Sequence, residues 1–250
     1  MNNGNLLQFR QELEQQGYTM IPDVFSETSV REMITVIDSV DQHSPFFRKT
    51  NDLFAIRRFL QEVPSIIPLI FIPIINLIIR ELFGEHHVPV KSIYFDKPGQ
   101  SNWFVAWHQD LTISVAEKLP VSGYGPWTVK PGQYAVQPPI SILESIYTLR
   151  IHLDDTNEQN GALKVLPGSH ARGIQRANDI DLNKTPDVSC RVKRGGIMIM
   201  RPLLMHASGR SSNGHNRRVI HIEFSDQQLA GGLQWAETRS LSDSGLNLLR

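Results

Sequence analysis

Phe104-Val-Ala-Trp-His-Gln-Asp-Leu111 carries an imidazole and a carboxylate two residues apart on a run with the texture of a strand. Side chains of an extended segment alternate between faces, so His108 and Asp110 point to the same side. One more imidazole from a neighbouring strand would complete a three-ligand face with open positions opposite. That arrangement suits a mononuclear non-haem iron(II) centre. His206, in Met200-Arg-Pro-Leu-Leu-Met-His-Ala-Ser-Gly209, is the candidate third ligand.

Outward from this run, short β-branched and aromatic stretches alternate with Gly, Pro, Asn and Asp clusters from Val88 onward, as antiparallel β structure requires. Eight strands are expected: Ser92–Phe95, Phe104–His108, Gln133–Val136, Tyr147–Leu153, Ala162–Val165, Ile197–Met200, Leu203–His206 and Arg217–Phe224. His108 falls on the second and His206 on the seventh, which are neighbours in a two-sheet jelly roll. Trp103, Phe104 and Trp107 supply a dry wall around the pair. A second triplet, His152-Leu-Asp154, and a near relative, His221-Ile-Glu223, are read as polar faces of half-exposed strands. His43, His86, His87, His170 and His215 have no partner at ligand spacing and are read as loop or surface residues.

Toward the N-terminus the pattern is helical. Leu6, Phe9 and Leu13 recur at helical spacing before the stop signal Gly17. Tyr18–Ile21 reads as a strand. Ser26 offers an N-cap to a helix burying Val30, Met33, Ile34 and Ile37, and Asp52 to Phe83 reads as two further apolar helices. The expected fold is mainly β with flanking helices: one domain over 1–250, with 1–90 mainly helical and packed outside a jelly-roll barrel over 91–226. The connection from Ser114 to Glu144 is too rich in Trp, Tyr and Val for disorder, so it is expected to close as a lid, with Tyr124 and Trp127 as substrate contacts.

At 250 residues the chain can bury a substantial core. Its 25 acidic and 25 basic residues cancel, so no global field favours nucleic acid or an anionic membrane. Cys190 is the only cysteine, which excludes an intrachain disulfide or a thiolate zinc site. The apolar stretch Ile66 to Ile79 is short and interrupted by Pro68, Pro73 and Asn76, so a buried helix pair is expected. A cytoplasmic protein acting on a small molecule, with neither nucleic acid nor membrane as partner, is the expectation.

Arg217 and Arg218 open the last expected strand, and alternation sends one of them inward. A buried guanidinium requires an anion, and a dicarboxylate cosubstrate gripped at its far end would serve. Arg217 is the candidate for the inward position. The competing reading is a solvated pair on an edge strand. Arg150 and His152 share one strand face opposite Leu149, Ile151 and Leu153; they line either the barrel mouth or an outer solvated face.

With these residues assembled, the chain resembles the phytanoyl-CoA dioxygenase family of iron(II)/2-oxoglutarate oxygenases. The resemblance rests on Gly17-Tyr-Thr-Met-Ile-Pro-Asp-Val-Phe-Ser26, Phe95-Asp-Lys-Pro98, Trp107-His-Gln-Asp-Leu111, Asn160-Gly-Ala-Leu-Lys-Val-Leu-Pro-Gly-Ser-His170 and the segment from Pro202 to Arg217. It implies that His108, Asp110 and His206 bind iron(II), that Arg217 holds the distal carboxylate of 2-oxoglutarate, and that dioxygen is consumed. It also implies a double-stranded β-helix fold and a second 2-oxoglutarate contact ahead of the iron motif, for which Arg57 is the candidate; it carries no role over to Arg150, which from the barrel mouth would contact cosubstrate or substrate. The Ser114–Glu144 connection is long beside that of the founding acyl-CoA hydroxylase, which speaks against a CoA thioester. Related halogenases leave the carboxylate position empty for chloride; Asp110 therefore favours hydroxylation, desaturation or cyclisation, of a moderately apolar small molecule. Two rivals stand: a metal-binding jelly roll that does not use 2-oxoglutarate, and a non-catalytic binding protein. Succinate release coupled to oxygen uptake separates them.

Overall fold

The computed structural model describes residues 3–41, 44, 46–50, 54–130, 133–181 and 184–237; Met1, Asn2, His43 and Asp52 lie outside them. The first helix, Asn3–Gln16, stops at Gly17, whose φ of +82° and close approach to His170 leave no room for a side chain. Strand β1 (Tyr18–Ile21) follows, then the helix Glu27–Asp38, whose first turn is capped by Ser26 accepting from the Ser29 amide at 3.1 Å. After β2 (Phe47–Lys49) and β3 (Phe54–Arg57) the chain makes the short helical turns Phe59–Glu62, Pro64–Ile66 and Ile67–Ile70 and the helix Pro73–Leu82. The remaining strands are β4 (Val88–Lys97), β5 (Val105–His108), β6 (Ile113–Val115), β7 (Trp127–Lys130), β8 (Gln133–Val136), β9 (Tyr147–His152), β10 (Leu163–Val165), β11 (Val188–Ser189), β12 (Ile197–Met200), β13 (His206–Ser208) and β14 (Arg217–Ser225), with a helix Ile140–Ser145 before β9.

Among the described residues the strands form three antiparallel sheets. The major sheet runs β1-β12-β9-β14-β4-β3-β2, the minor β11-β10-β13-β5, and a third β6-β8-β7. The strands face one another across a shared interior and do not close into one hydrogen-bonded barrel, which corrects that part of the expectation. Period-two alternation explains the layering. Ile197 and Ile199, Leu149 and Ile151, and Ile220, Ile222 and Phe224 turn one way and pack with Ile75, Ile78 and Ile79 of the helix Pro73–Leu82. Met198 and Met200 turn the other way, onto Leu163 and Val165 of the minor sheet. The inner face also carries Arg150 and His152 of β9 and Arg217, His221 and Glu223 of β14, all buried.

The helix Pro73–Leu82 begins with Pro at its first turn, where the missing N–H costs nothing, and buries Ile75, Ile78, Ile79 and Leu82 on one stripe. Among the described residues no single helix is long and apolar enough to cross a membrane. A bent pair, Pro64–Ile70 with Pro73–Leu82, meets that composition at a 77° break, but its Ile66, Ile67, Ile70, Ile75, Ile78 and Ile79 are buried in the core.

Three expectations change. The helices expected from Asp52 begin at Phe59, because Phe54 and Ile56 pack into the core while Ala55 and Arg57 take the other face, making β3 a strand on the edge of β4. The strand expected over Leu203–His206 starts at His206: Pro202 interrupts, Leu204 N–H closes a turn on the Arg201 carbonyl at 3.0 Å, and Leu203, Leu204 and Met205 are a buried turn. The Ser114–Glu144 connection is ordered by β6, β7 and β8 and pinned to the chain's later part by Ala116 N–H to Gln234 O (2.9 Å) and Ala236 N–H to Ser114 O (3.0 Å).

Candidate metal and anion site

β13 pairs with β5 so that His206 and His108 are direct cross-strand partners, their ring centroids 4.2 Å apart. Asp110 lies just beyond β5, fixed by its amide donating to the Pro202 carbonyl at 2.9 Å. Its two carboxylate oxygens sit 3.8 Å from Nε2 of His108 and 3.8 Å from Nε2 of His206. The ligand atoms of the three residues lie within 4.8 Å of one another. Each imidazole places Nδ1 on a backbone carbonyl at 2.8 Å, Ala106 for His108 and Leu204 for His206. A carbonyl only accepts, so Nδ1 carries the proton and the Nε2 lone pair is left for a cation.

Electrostatics keep this face in a ligating state. Burial alone would raise the Asp110 carboxyl, but His206, Lys91, His221 and His108 together hold it well below the usual carboxylate range. Burial pushes His206 down to about 4, with Asp110 opposing, so the imidazole is neutral at physiological pH. Gln109 points to the opposite side of the strand and is buried. Its amide NH2 donates to Leu203 O (2.7 Å) and Gly173 O (2.9 Å), and its oxygen accepts from Gln175 N–H (2.8 Å). It thereby ties the His206 turn to the His108–Asp110 run. Sequence reading passed over Gln109; its place between the two ligands, facing the other way, was the available signal.

Further along the same interior lie the arginines. Arg217 is 4% exposed and donates to the Gly161 carbonyl and, at 3.2 Å, to Ser208 Oγ. Its Nε has no partner, and no ion pair joins it to a carboxylate among the described residues. Arg218 turns the other way and forms a two-pronged pair with Asp154 at 2.7 and 2.9 Å. Arg150 is buried too, which decides between the two readings of its strand face in favour of the interior. It donates to His221 Nδ1 at 3.0 Å, so His221 is protonated on Nε2, which donates to Glu223 at 3.1 Å. Glu223 in turn takes Lys91 Nζ at 2.7 Å. Arg150 Nε and His152 Nε2 are left without partners. Burial, then Arg150, lowers Arg217 to about 9, and burial lowers Arg150 to about 10 despite Asp110. Burial, then the two arginines, keeps His152 neutral. The region is thus a dry, positively charged cleft with unpartnered N–H groups, suited to a small dianion.

Of the triplets read as solvent-facing polar strands, His152, His221 and Glu223 are buried and Asp154 is half-buried. His152 bonds Thr156 Oγ1 at 2.8 Å, Asp154 serves Arg218, and His221 with Glu223 forms the network just described. Lys91, the cation of that network, was missed because β4 begins at Val88 rather than at Ser92.

Arg57 is not with the other arginines. It pairs in register with Ile93, whereas Arg217 pairs with Lys97 on the far side of β4 and four positions along it. It lines instead a cavity of about 160 Å³ with Arg58, Lys91, Thr112, Gln133 and Tyr134. Tyr124 and Trp127 do not line that cavity. The Tyr124 hydroxyl accepts from Ala230 N–H at 3.3 Å, and Trp127 packs on the apolar cluster around Val115 and Val136, beneath Lys118.

A trio of two imidazoles and a carboxylate beside a buried arginine with no protein anion meets an independent comparison. The family model for phytanoyl-CoA dioxygenase matches residues 13–219. The chain belongs to the phytanoyl-CoA dioxygenase family. Iron(II) and 2-oxoglutarate are the family's cofactor and cosubstrate. A curated relative, phytanoyl-CoA dioxygenase domain-containing protein 1 of Mus musculus, is 23% identical over 180 residues, 66% of this chain, and the match spans about half (53%) of that relative's length. Among solved structures, the non-heme alpha ketoglutarate dependent carbocyclase SnoK from nogalamycin biosynthesis superposes with a TM-score of 0.67 at 18% identity, over 88% of this chain and 83% of that one. The epimerase SnoN from the same biosynthesis gives 0.66 at 15%, covering 90% and 84%. EctD from S. alaskensis with 2-oxoglutarate and 5-hydroxyectoine gives 0.67 at 16%, covering 90% and 76%. At these identities the structures speak for the shared jelly-roll fold.

Proposed function

We propose that this chain is an iron(II)- and 2-oxoglutarate-dependent hydroxylase of a small molecule. His108, Asp110 and His206 would hold the iron, and Arg217 would grip the distal carboxylate of 2-oxoglutarate. When bound, iron with 2-oxoglutarate activates dioxygen and supplies the oxidant for a C–H bond, with release of succinate and carbon dioxide. The residues of this chain do the rest. Ala106 and Leu204 carbonyls hold both imidazoles in the ligating tautomer. Met198, Met200, Leu163 and Val165 keep the interior dry, so the charged contacts there act at low dielectric. Arg150, locked onto His221, presents its free Nε beside Arg217 as a second contact for the cosubstrate.

The observation that carries this reading is the buried Arg217 guanidinium, near the trio's strand, whose Nε is unpartnered and which forms no ion pair with a carboxylate among the described residues. Interior charge of that kind needs a partner from outside the chain. Asp110 fills the carboxylate position, which supports hydroxylation over halogenation. The 160 Å³ cavity combines apolar wall from Ile93, Val115 and Tyr134 with the charged side chains of Arg57, Arg58 and Lys91, which supports a moderately apolar substrate carrying a polar group. The test is succinate formation with oxygen uptake in the presence of iron(II), against Arg217→Ala. Removing the clamp is expected to lower kcat/KM for 2-oxoglutarate about 100-fold, given about 3 kcal/mol for a buried charge-assisted pair. Oxygen uptake without succinate would favour a cupin that does not use 2-oxoglutarate, and neither would favour a binding protein.

A further inference from the structure

The cavity that Arg57 lines opens between β3, β4 and the β6–β8 sheet. Its wall includes Lys91 of β4 and Thr112, two residues beyond Asp110. It is therefore a chamber next to the metal trio, separate from the cleft of Arg217 and Arg150. Three cations border it. Lys91 is already matched by Glu223 at 2.7 Å. Arg57 and Arg58 form no ion pair within contact distance among the described residues; Arg58 lies 4.9 Å from the Phe46 ring and close enough to Glu237 to feel its charge, and Arg57 lies close enough to Arg48 to be repelled by it. Glu237 also lines the cavity, but its carboxylate is engaged by the Ser92 amide at 2.9 Å and by the Ser92 hydroxyl.

The backbone is bent to bring both arginines to this wall. In a regular strand, consecutive side chains point to opposite faces, so Arg58 would leave the cavity that Arg57 enters. Arg58 instead adopts φ 51° and ψ 42°, the left-handed region that costs a side chain about 1 kcal/mol, and both arginines line the chamber. A half-buried pair of adjacent like charges at a strained turn, in excess over the single Glu237 of the described lining, is what an oxyanion would neutralise. We propose that the substrate carries an anionic head, a carboxylate or a phosphate, held by Arg57 and Arg58, with its oxidised carbon reaching past Lys91 and Thr112 toward the metal. This rests on the hydroxylase reading and reassigns Arg57 from cosubstrate to substrate.

The test uses the full chain loaded with manganese(II) and N-oxalylglycine, an unreactive stand-in for 2-oxoglutarate. Calorimetric titration compares four ligands with one tail: hexanoate, hexyl phosphate, hexanol and hexylamine. The two anions are expected to bind at least about tenfold tighter than the alcohol and the amine, and the tighter anion identifies the head group. The double variant Arg57→Ala/Arg58→Ala should lose the preference while keeping the N-oxalylglycine affinity. Arg57→Lys/Arg58→Lys, which preserves charge, should retain part of it. Binding of none of the four, equal binding of anion and alcohol, a preference that survives the double alanine variant, or a loss of N-oxalylglycine affinity would each overturn the proposal. The titration is repeated on unloaded protein, where the anion preference should persist. Failure to load manganese and N-oxalylglycine would count against the hydroxylase reading alone.

Discussion

At the scale of single residues, what a side chain faces decides its role more than its identity does. His206 and His152 are both buried imidazoles, yet His206 has the Asp110 carboxylate 3.8 Å from its Nε2 while the charges felt by His152 are those of Arg150 and Arg217. Only the first can join a metal site. Gln109 illustrates support from behind: its three hydrogen bonds hold the turn that carries His206. Gln109→Ala leaves two buried carbonyls and an amide unsatisfied. It should weaken manganese(II) binding about 10- to 100-fold, with a lower melting temperature, as titration and thermal melts would show. Glu237 offers a pH test away from the metal. Burial raises its carboxyl to about 7, above the unfolded value of 4.5, so the folded state holds a proton that the unfolded state releases. Stability should be fullest below pH about 4.5 as far as this group is concerned, and its share should be lost as pH rises toward about 7. Glu237→Gln should flatten that slope in melts taken from pH 5 to 7; an unchanged slope would show that the group does not titrate there.

At the scale of elements, the strands that alternate cleanly were legible. Tyr18–Ile21, Gln133–Val136 and Ile197–Met200 appear with the bounds their side-chain pattern predicts. The run Ile66 to Ile79 reads as a buried helix pair and folds as one, punctuated by Pro68 and Pro73. The misread strands have two causes. Leu203 to Met205 is buried from all sides, so its periodicity carries no information about strand or turn. Phe54–Arg57 was hidden because four residues give too short a pattern. The apolar helices over the major sheet nevertheless hold the layer that positions β9 and β14. Ile78 is fully buried there. Ile78→Ala should cost about 2–5 kcal/mol in denaturant melts, with manganese affinity retained in the fraction still folded. A cost under about 1 kcal/mol would mean that the helix contributes little to the sheet.

At the scale of the whole molecule, two sheets of opposite character meet. The major sheet brings arginines and the lysine–glutamate–histidine chain, and the minor sheet brings the ligand pair His108 and His206. The candidate trio His108, Asp110 and His206 was legible as a cluster because the spacing of its first two members obeys the two-residue period of a strand. The anion cleft was only half legible: Arg217 and Arg218 announced an inward charge, but the partnership of Arg150, His221, Glu223 and Lys91 depends on registers between β4, β9 and β14 that no local pattern encodes. The cavity under Arg57 was invisible for the same reason. The account therefore turns on iron and 2-oxoglutarate meeting in one interior, each held by separate residues. Anaerobic titration of iron(II)-loaded protein with 2-oxoglutarate, followed by the visible charge-transfer absorption of the chelate, reads both at once. Wild type should develop the band at one equivalent. Arg217→Ala should keep its iron but require about 100-fold more 2-oxoglutarate, and Asp110→Ala should bind iron poorly. A wild-type protein that binds iron without developing the band, or an Arg217→Ala variant that saturates at the wild-type concentration, would contradict the account.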